Sequence, residues 1–409
     1  MFFSHGHQKY KDGVVAIFSI GSARVTGSLV SRAPGEENLK VHYSTESTLV
    51  HQDELNVERF TRSMLSALME VAMRIQQEGL LITRKELDQS VTIKQFACVF
   101  TAPWYVSQTH TVTLNRKQEF VVKESIVEKM LHDEIDLFQE NIKQKKEGLS
   151  IVSAQSSVAD AHIIQTHING YETKDPIGKT AQKLSISLYI SLMSDTILSK
   201  TQAILSQVFA ANYVSIISST LVTFLGVEKF FKSPEDYLIL ETHGEVTDAT
   251  LVRGHTIVGS ASFPFGTNTS IRYVTKQTKR SAQDIYSRVK LMSKARTNRS
   301  TEVSRAIEES LFESIKTWLD GLHRTLEKVA QGEPVPQTIY LSIDPQWHTL
   351  FLTALKQQTS SLITFSDRPF EVVTFDDTAV KGKMTISPKG KFLPLTALAG
   401  LMHKDLLDE

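Results

Sequence analysis

The residues best suited to chemistry sit at two short turns. Ser19-Ile20-Gly21-Ser22-Ala23-Arg24-Val25 and Glu241-Thr242-His243-Gly244-Glu245-Val246-Thr247-Asp248 each place a glycine between two apolar runs. In the second turn, His243 lies near Glu245 and Asp248, residue types that can hold a divalent ion or exchange a proton. A turn histidine beside acids is more often a solvated side chain, so no metal is expected there. A third feature is charge: between Arg272 and Arg299, the basic residues Lys276, Lys279, Arg280, Arg288, Lys290, Lys294 and Arg296 face only Asp284. Such a run could meet an acidic partner or a lipid surface, but a charged outer helix face is the expectation.

The elements that must hold these turns follow from periodicity. Val14–Ile20 is apolar and β-branched and residues 25–30 resume after the turn, which predicts a hairpin opening a sheet. Val57, Phe60, Met64, Leu68, Val71 and Ile75 recur at steps of three and four, which predicts an amphipathic helix ending near Gly79. Strands are expected at 96–101, 110–114, 162–168 and 184–193, and helices at 125–138 and 196–209. Residues 237–241 and 249–253 repeat the strand, turn and strand pattern, so the chain reads as two related halves. A long helix carries Val303, Ile307, Leu311, Ile315, Trp318, Leu322, Leu326 and Val329 on one face before Gly332 and Pro334 stop it. A strand at 338–343, a helix near 346–357 and an apolar segment at 393–402 close the pattern.

Composition narrows the class. The 409 residues include 41% hydrophobic and 22% charged residues, ordinary values for a globular chain with substantial cores. Lys+Arg and Asp+Glu balance at 45 each, which gives no global attraction to nucleic acid. The single cysteine, Cys98, excludes an intramolecular disulfide framework and a thiolate-rich metal site, and fits a reducing cytoplasm. The apolar run at Phe2-Phe3 is too short for a signal-peptide core. Residues 201–227 carry no charge, but Gln202, Gln207, Asn212 and Ser215 interrupt them, so buried core is expected rather than a membrane span.

The order of these elements and the residues at the turns resemble the actin-like ATPase superfamily and, within it, the FtsA cell-division family. Residues 19–25 stand where that family has D-I-G-S-S-K-V, and residues 241–248 where it has D-I-G-G-G-T-T-D. Phe263-Pro264-Phe265-Gly266 resembles its I-P-Y-A-G-N turn, Leu341-Ser342-Ile343-Asp344-Pro345 occupies the place of its L-T-G-G motif, and Ala397-Leu398-Ala399-Gly400-Leu401 resembles its last helix. Residues 121–131, together with Asp175-Pro176-Ile177-Gly178-Lys179, are similar to the FtsA inserted subdomain and a following turn. The motifs are short and worn, but they keep their order over most of the chain.

The resemblance implies an α/β, actin-like (ribonuclease H-like) two-lobed fold with a small inserted αβ subdomain. The implied divisions are first lobe 1–90 and 162–230, inserted subdomain 91–161, second lobe 231–392, and a carboxy-terminal helix 393–409 returning to the first lobe. It also locates a nucleotide site, of which Gly21, Ser22, Glu241, Gly244, Asp248 and Gly266 remain. In such a site glycines let backbone N–H groups cradle phosphates, and aspartates hold Mg²⁺ through water. Here Ser19 replaces the first aspartate, His243 and Glu245 fill two glycine positions, and Asp344-Pro345 replaces the adenosine-side glycines. Glu245 would face phosphates without an evident compensating cation. Ser287 stands for the family's helix glutamate, and Lys290 fits its lysine.

The expected function is therefore a cytoplasmic scaffold or adaptor without an ATP or Mg²⁺ cofactor, recruited to the membrane only through other division or membrane-assembly proteins and self-associating into filaments. No nucleic acid is expected. The short acidic end at residues 403–409 is not expected to lie on lipid. A PilM-like pilus-assembly scaffold and an active actin-like ATPase with unusual phosphate loops are the alternatives.

Overall fold

The computed structural model describes residues 13–32, 38–87, 91–144, 151, 155–293, 302–357, 370–375, 380 and 382–402. Its frame is set by two strands with no exposed face. Strand β1 (Val14–Ile20) is buried along its whole length, as is β10 (Tyr237–Thr242), and a strand covered on both faces belongs at the centre of a sheet. Strand β1 pairs antiparallel with β2 (Arg24–Arg32), which pairs with β3 (Leu39–Thr48). On its other side lie parallel strands β4 (Ile93–Phe100) and β9 (Ser215–Ser218). The second half repeats this plan: β12 (Thr256–Phe263), β11 (Thr247–Arg253), β10, β13 (Thr338–Ile343) and β14 (Glu371–Thr374) lie in that order. The two halves expected from the repeated turns are thus two copies of one strand order.

Helices cover the outer faces. Helix α1 (Val57–Arg74) buries Phe60, Met64, Leu68 and Val71 against the first sheet, and Asn56 caps its start by accepting from Arg59 N. The pattern passes through a π turn at Ile75–Gly79 into α2 (Leu80–Leu87), so the helix runs beyond the expected stop. Helix α4 (Asp195–Phe209) shares that face. On the second sheet, α6 (Thr267–Thr278), α7 (Ala282–Ser293), α8 (Glu302–Ala330) and α9 (His348–Gln357) surround Trp318, which is fully buried. The uncharged stretch 201–227 is interior only in its second half: β9 leads into α5 (Ser219–Phe230), whose residues 219–224 are all buried, whereas Gln207, Asn212 and Tyr213 before it are exposed. No helix among the described residues is long and apolar enough to cross a membrane.

Between β4 and α4 the chain forms a third sheet in the order β5 (Tyr105–Val121), β8 (Thr180–Ser194), β6 (Ser156–Ile168) and β7 (Tyr171–Glu172), backed by α3 (Glu124–Gln144). This sheet corrects both ends of the expected insertion 91–161, since β4 belongs to the first sheet and the inserted strands run past residue 161. The strands expected at 162–168 and 184–193 in the first lobe pair with β5 and with each other. Asp160 fastens this sheet to the first lobe by accepting from Ser218 N at 2.6 Å and Ser218 Oγ at 2.8 Å.

The chain's last described segment returns to the first sheet. Strand β15 (Met384–Ile386) pairs with β3, and α10 (Pro394–Leu401) packs on α5 and β1. Residues 403–409, expected to lack membrane affinity, fall outside the described residues. Beside β15, Glu86 accepts from His42 at 2.7 Å, Lys40 at 2.9 Å and Ser387. Burial pushes the Glu86 carboxyl up, but the hydrogen bonds from Ser387, His42 and Lys40 prevail and hold it at about 2. Because that value lies below the ordinary 4.5, the stabilisation is present above pH 4.5 and is lost as pH falls toward 2. Glu86→Gln is expected to flatten the pH dependence of urea unfolding in that window; a curve parallel to the parent's would contradict it.

Candidate functional site: the junction of the two lobes

Each of the two turns is closed by its own backbone. Gly21 N donates to Arg24 O at 2.9 Å, and His243 N donates to Val246 O at 2.9 Å. Trp104 Nε1 donates to Gly21 O at 3.1 Å from behind the first turn. The β10–β11 register sets Glu241 opposite Asp248, so their side chains share one face of the sheet.

The turns also close on each other. Ser22 Oγ accepts from Glu245 N at 3.1 Å, and a Cβ on Gly244 would lie 2.7 Å from Ser22 C and 2.8 Å from Ala23 N. Arg24 pairs with Asp344 from the opposite lobe and with Glu46 at 3.1 Å. Helix α6 starts directly beneath: Gly266 is its N-cap, Thr267 N donates to His243 O at 2.9 Å, and Asn268 N donates to Gly244 O at 2.8 Å. The first N–H groups of a helix can receive an anion, but these two already have carbonyl partners.

Glu245 has the cation that the sequence did not show. Its carboxylate accepts from Arg272 at 3.2 and 2.5 Å and from Asn268 Nδ2 at 2.9 Å, while Tyr286 donates to Asn268 Oδ1 at 2.7 Å. The expected outer face of basic residues holds for Lys276, Lys279, Arg280 and Lys290, which are exposed, but not for two arginines. Arg272 points into the junction, and Arg288, itself buried, pairs with Glu308. Lys294, Arg296 and Arg299 of that run lie outside the described residues.

Gly21, Ser22 and Gly244 line a cleft of about 280 Å³ with Ser19, Ala23, Arg24, Thr242, His243, Ser342–Pro345 and Phe392–Leu395. Gly266 supports its floor through the contact with Gly244. Glu241 and Asp248 lie behind the lining. Glu241 is fully buried, accepts from Thr223 at 2.9 Å and Thr220 at 3.2 Å, and burial pushes its carboxyl up. Asp248 accepts from Ser262 at 2.6 Å. His243 is not the solvated side chain expected from its turn: only 9% of it is exposed, and its Nε2 stands 3.6 Å from Asp248 Oδ2. Ser287 and Lys290 are exposed and do not line the cleft. A larger cavity of about 420 Å³, between β12 and α8, contains none of the residues expected to act.

Sequence reasoning missed Arg24, Asn268 and Arg272 as parts of this junction. The available signal was the acid at Glu245, which needed a partner once it was buried.

The duplicated strand order and the likeness along the whole chain define an actin-like ATPase fold. Among solved structures, the chain is similar to the PilM-PilN type IV pilus biogenesis complex, with 12% identity over 96% of this chain and 98% of that chain and a TM-score of 0.58. It is also similar to the ethanolamine utilization protein EutJ from Carboxydothermus hydrogenoformans, at 10% identity over 95% and 90% with a TM-score of 0.41. A Bacteroides thetaiotaomicron protein with actin-like ATPase fold and unknown function aligns at 11% identity over 94% and 95%, with a TM-score of 0.40. No protein-family model and no curated protein sequence matches the chain.

Proposed function

We propose that this chain is an assembly scaffold of PilM type, which holds a partner protein and keeps its interlobe cleft closed with its own residues instead of with nucleotide. The observation that carries this reading is the closure itself. Ser22 holds Glu245 across the junction, Arg24 holds Asp344, and the first two donors of α6 are bonded to the second turn. The residues present do not fit ATP with Mg²⁺. Ser19 offers no carboxylate, Glu245 adds one, and Pro345 has no N–H to give. At about 280 Å³ the cleft is also just below the ~300–1,000 Å³ usual for small-molecule sites.

The PilM-PilN complex supports the partner half of the reading, because that relative is an assembly of two proteins. The FtsA-like division role is a second reading, favoured by the turn at Asp175-Pro176-Ile177-Gly178, where Gly178 N donates to Val122 O at 2.8 Å within the inserted sheet. Cytoplasmic location, recruitment to the membrane through a partner and filament formation belong to this same proposal.

Calorimetric titration with ATP and Mg²⁺, run beside a phosphate-release assay, is expected to show affinity no tighter than about 1 mM, or roughly −4 kcal/mol, and no turnover. Micromolar affinity would show that the nucleotide pocket survives, and release that Asp248→Ala abolishes would establish an ATPase instead. Crosslinking with mass spectrometry in the native cell tests the scaffold half: products confined to the chain itself would overturn it.

A further inference from the structure

We propose that Glu241, His243 and Asp248 form a site for one divalent transition-metal ion of the Zn²⁺ and Co²⁺ type, bound directly by the protein and independently of nucleotide. One ligand atom from each side chain lies within 4.8 Å of the others. Two ligands each about 2.1 Å from a shared ion stand about 3.0–4.2 Å apart, depending on coordination geometry. The 3.6 Å between His243 Nε2 and Asp248 Oδ2 falls inside that range, and a Glu241 oxygen lies within 4.8 Å of both side chains' ligand atoms.

Those two atoms are also the ones without a partner. His243 Nε2 and Asp248 Oδ2 are buried and accept or donate no hydrogen bond, although the side chains are only 9% and 8% exposed. Leaving both unsatisfied in the interior is costly, and a shared cation removes the cost at both atoms. Charge points the same way. Glu241 and Asp248 are two carboxylates on one face of the β10–β11 hairpin, and no lysine or arginine among the described residues pairs with either. Ser262 holds the other Asp248 oxygen, and Thr223 and Thr220 each bond one oxygen of Glu241, the kind of outer hydrogen bonding that orients metal ligands.

The donor set selects the class of ion. Mg²⁺ prefers oxygen ligands and retains water, whereas one imidazole with two carboxylates suits Zn²⁺ and its neighbours. His243 lines the cleft, which gives an ion a route in and a water for its open position. The histidine occupies a turn position for which neither the backbone nor the hairpin needs an imidazole.

The test uses the full chain with His5 and His7 replaced by alanine, so that the terminal histidines do not contribute, stripped with chelator and titrated with Zn²⁺ by calorimetry and with Co²⁺ by visible absorption. One ion per chain is expected without nucleotide. His243→Ala and Asp248→Asn are each expected to weaken it at least about tenfold, and His51→Ala to leave it unchanged. Zinc X-ray absorption on the otherwise unaltered chain should show one imidazole among oxygen ligands, a result that does not depend on any site variant folding. No binding, binding indifferent to both site variants, or two imidazoles on the ion would overturn the proposal.

Discussion

Replacing Arg272 with alanine is expected to lower the free energy of unfolding by about 3–5 kcal/mol, the range found when one partner of a buried ion pair is removed. The reason lies in Glu245, whose side chain is 5% exposed and keeps only the Asn268 amide once the guanidinium is gone. Arg272→Ala with Glu245→Gln should recover at least half of the loss, because the double variant no longer buries an uncompensated charge. Urea unfolding of the four proteins gives the coupling directly. Additive losses would mean that Arg272 acts through packing alone. The same pair explains how a carboxylate can occupy a turn position where the related pattern has glycine: the turn receives charge compensation from its own lobe.

What could be read from the sequence was local. The strand, turn and strand of both halves is encoded locally, within residues 14–32 and 237–253, and the α8 stripe ending at Gly332 and Pro334 is a one-dimensional pattern. Pairing between distant strands is not. β8 was legible as a strand, but nothing in its alternation says whether it pairs with β5 or with β4, so the inserted unit was expected to end too early. β9 was hidden for a related reason: four residues between two uncharged helical stretches carry no periodicity of their own. At the site, the retained residues Gly21, Ser22, Gly244 and Gly266 do meet, and the hairpin explains why Glu241 and Asp248 face one another. The environment of His243 was not legible, since a turn histidine is buried only when another element packs over it, here α6.

The junction also behaves as a unit with an order of dependence. α6 is fixed by the carbonyls of His243 and Gly244; α6 then presents Asn268 and Arg272 to Glu245; and Glu245 N reaches Ser22 of the other lobe. Interlobe closure is therefore the last step of a chain of contacts that begins within the second lobe, and it should respond differently to damage at its two ends.

That difference is the basis of the second large effect expected. A Cβ on Gly266 would stand 2.4 Å from both His243 O and Gly244 O, backbone atoms of its own lobe that cannot turn aside as a side chain can. Gly266→Ala is expected to cost about 3 kcal/mol, the upper end of the usual overpacking range, by lifting α6 from the turn. Gly244→Ala meets Ser22 C at 2.7 Å and Ala23 N at 2.8 Å, which belong to the other lobe. Its strain is relieved by parting the lobes instead of disturbing either core. Hydrogen exchange distinguishes the two. Gly266→Ala should lower protection through α6 and along β10 and β11, whereas Gly244→Ala should lower it at the turn amides of residues 21–24 and at Glu245 while Leu240, Ala249 and Trp318 keep theirs. If Gly244→Ala left the turn amides protected, the backbone contact between the lobes would not be what holds the cleft shut.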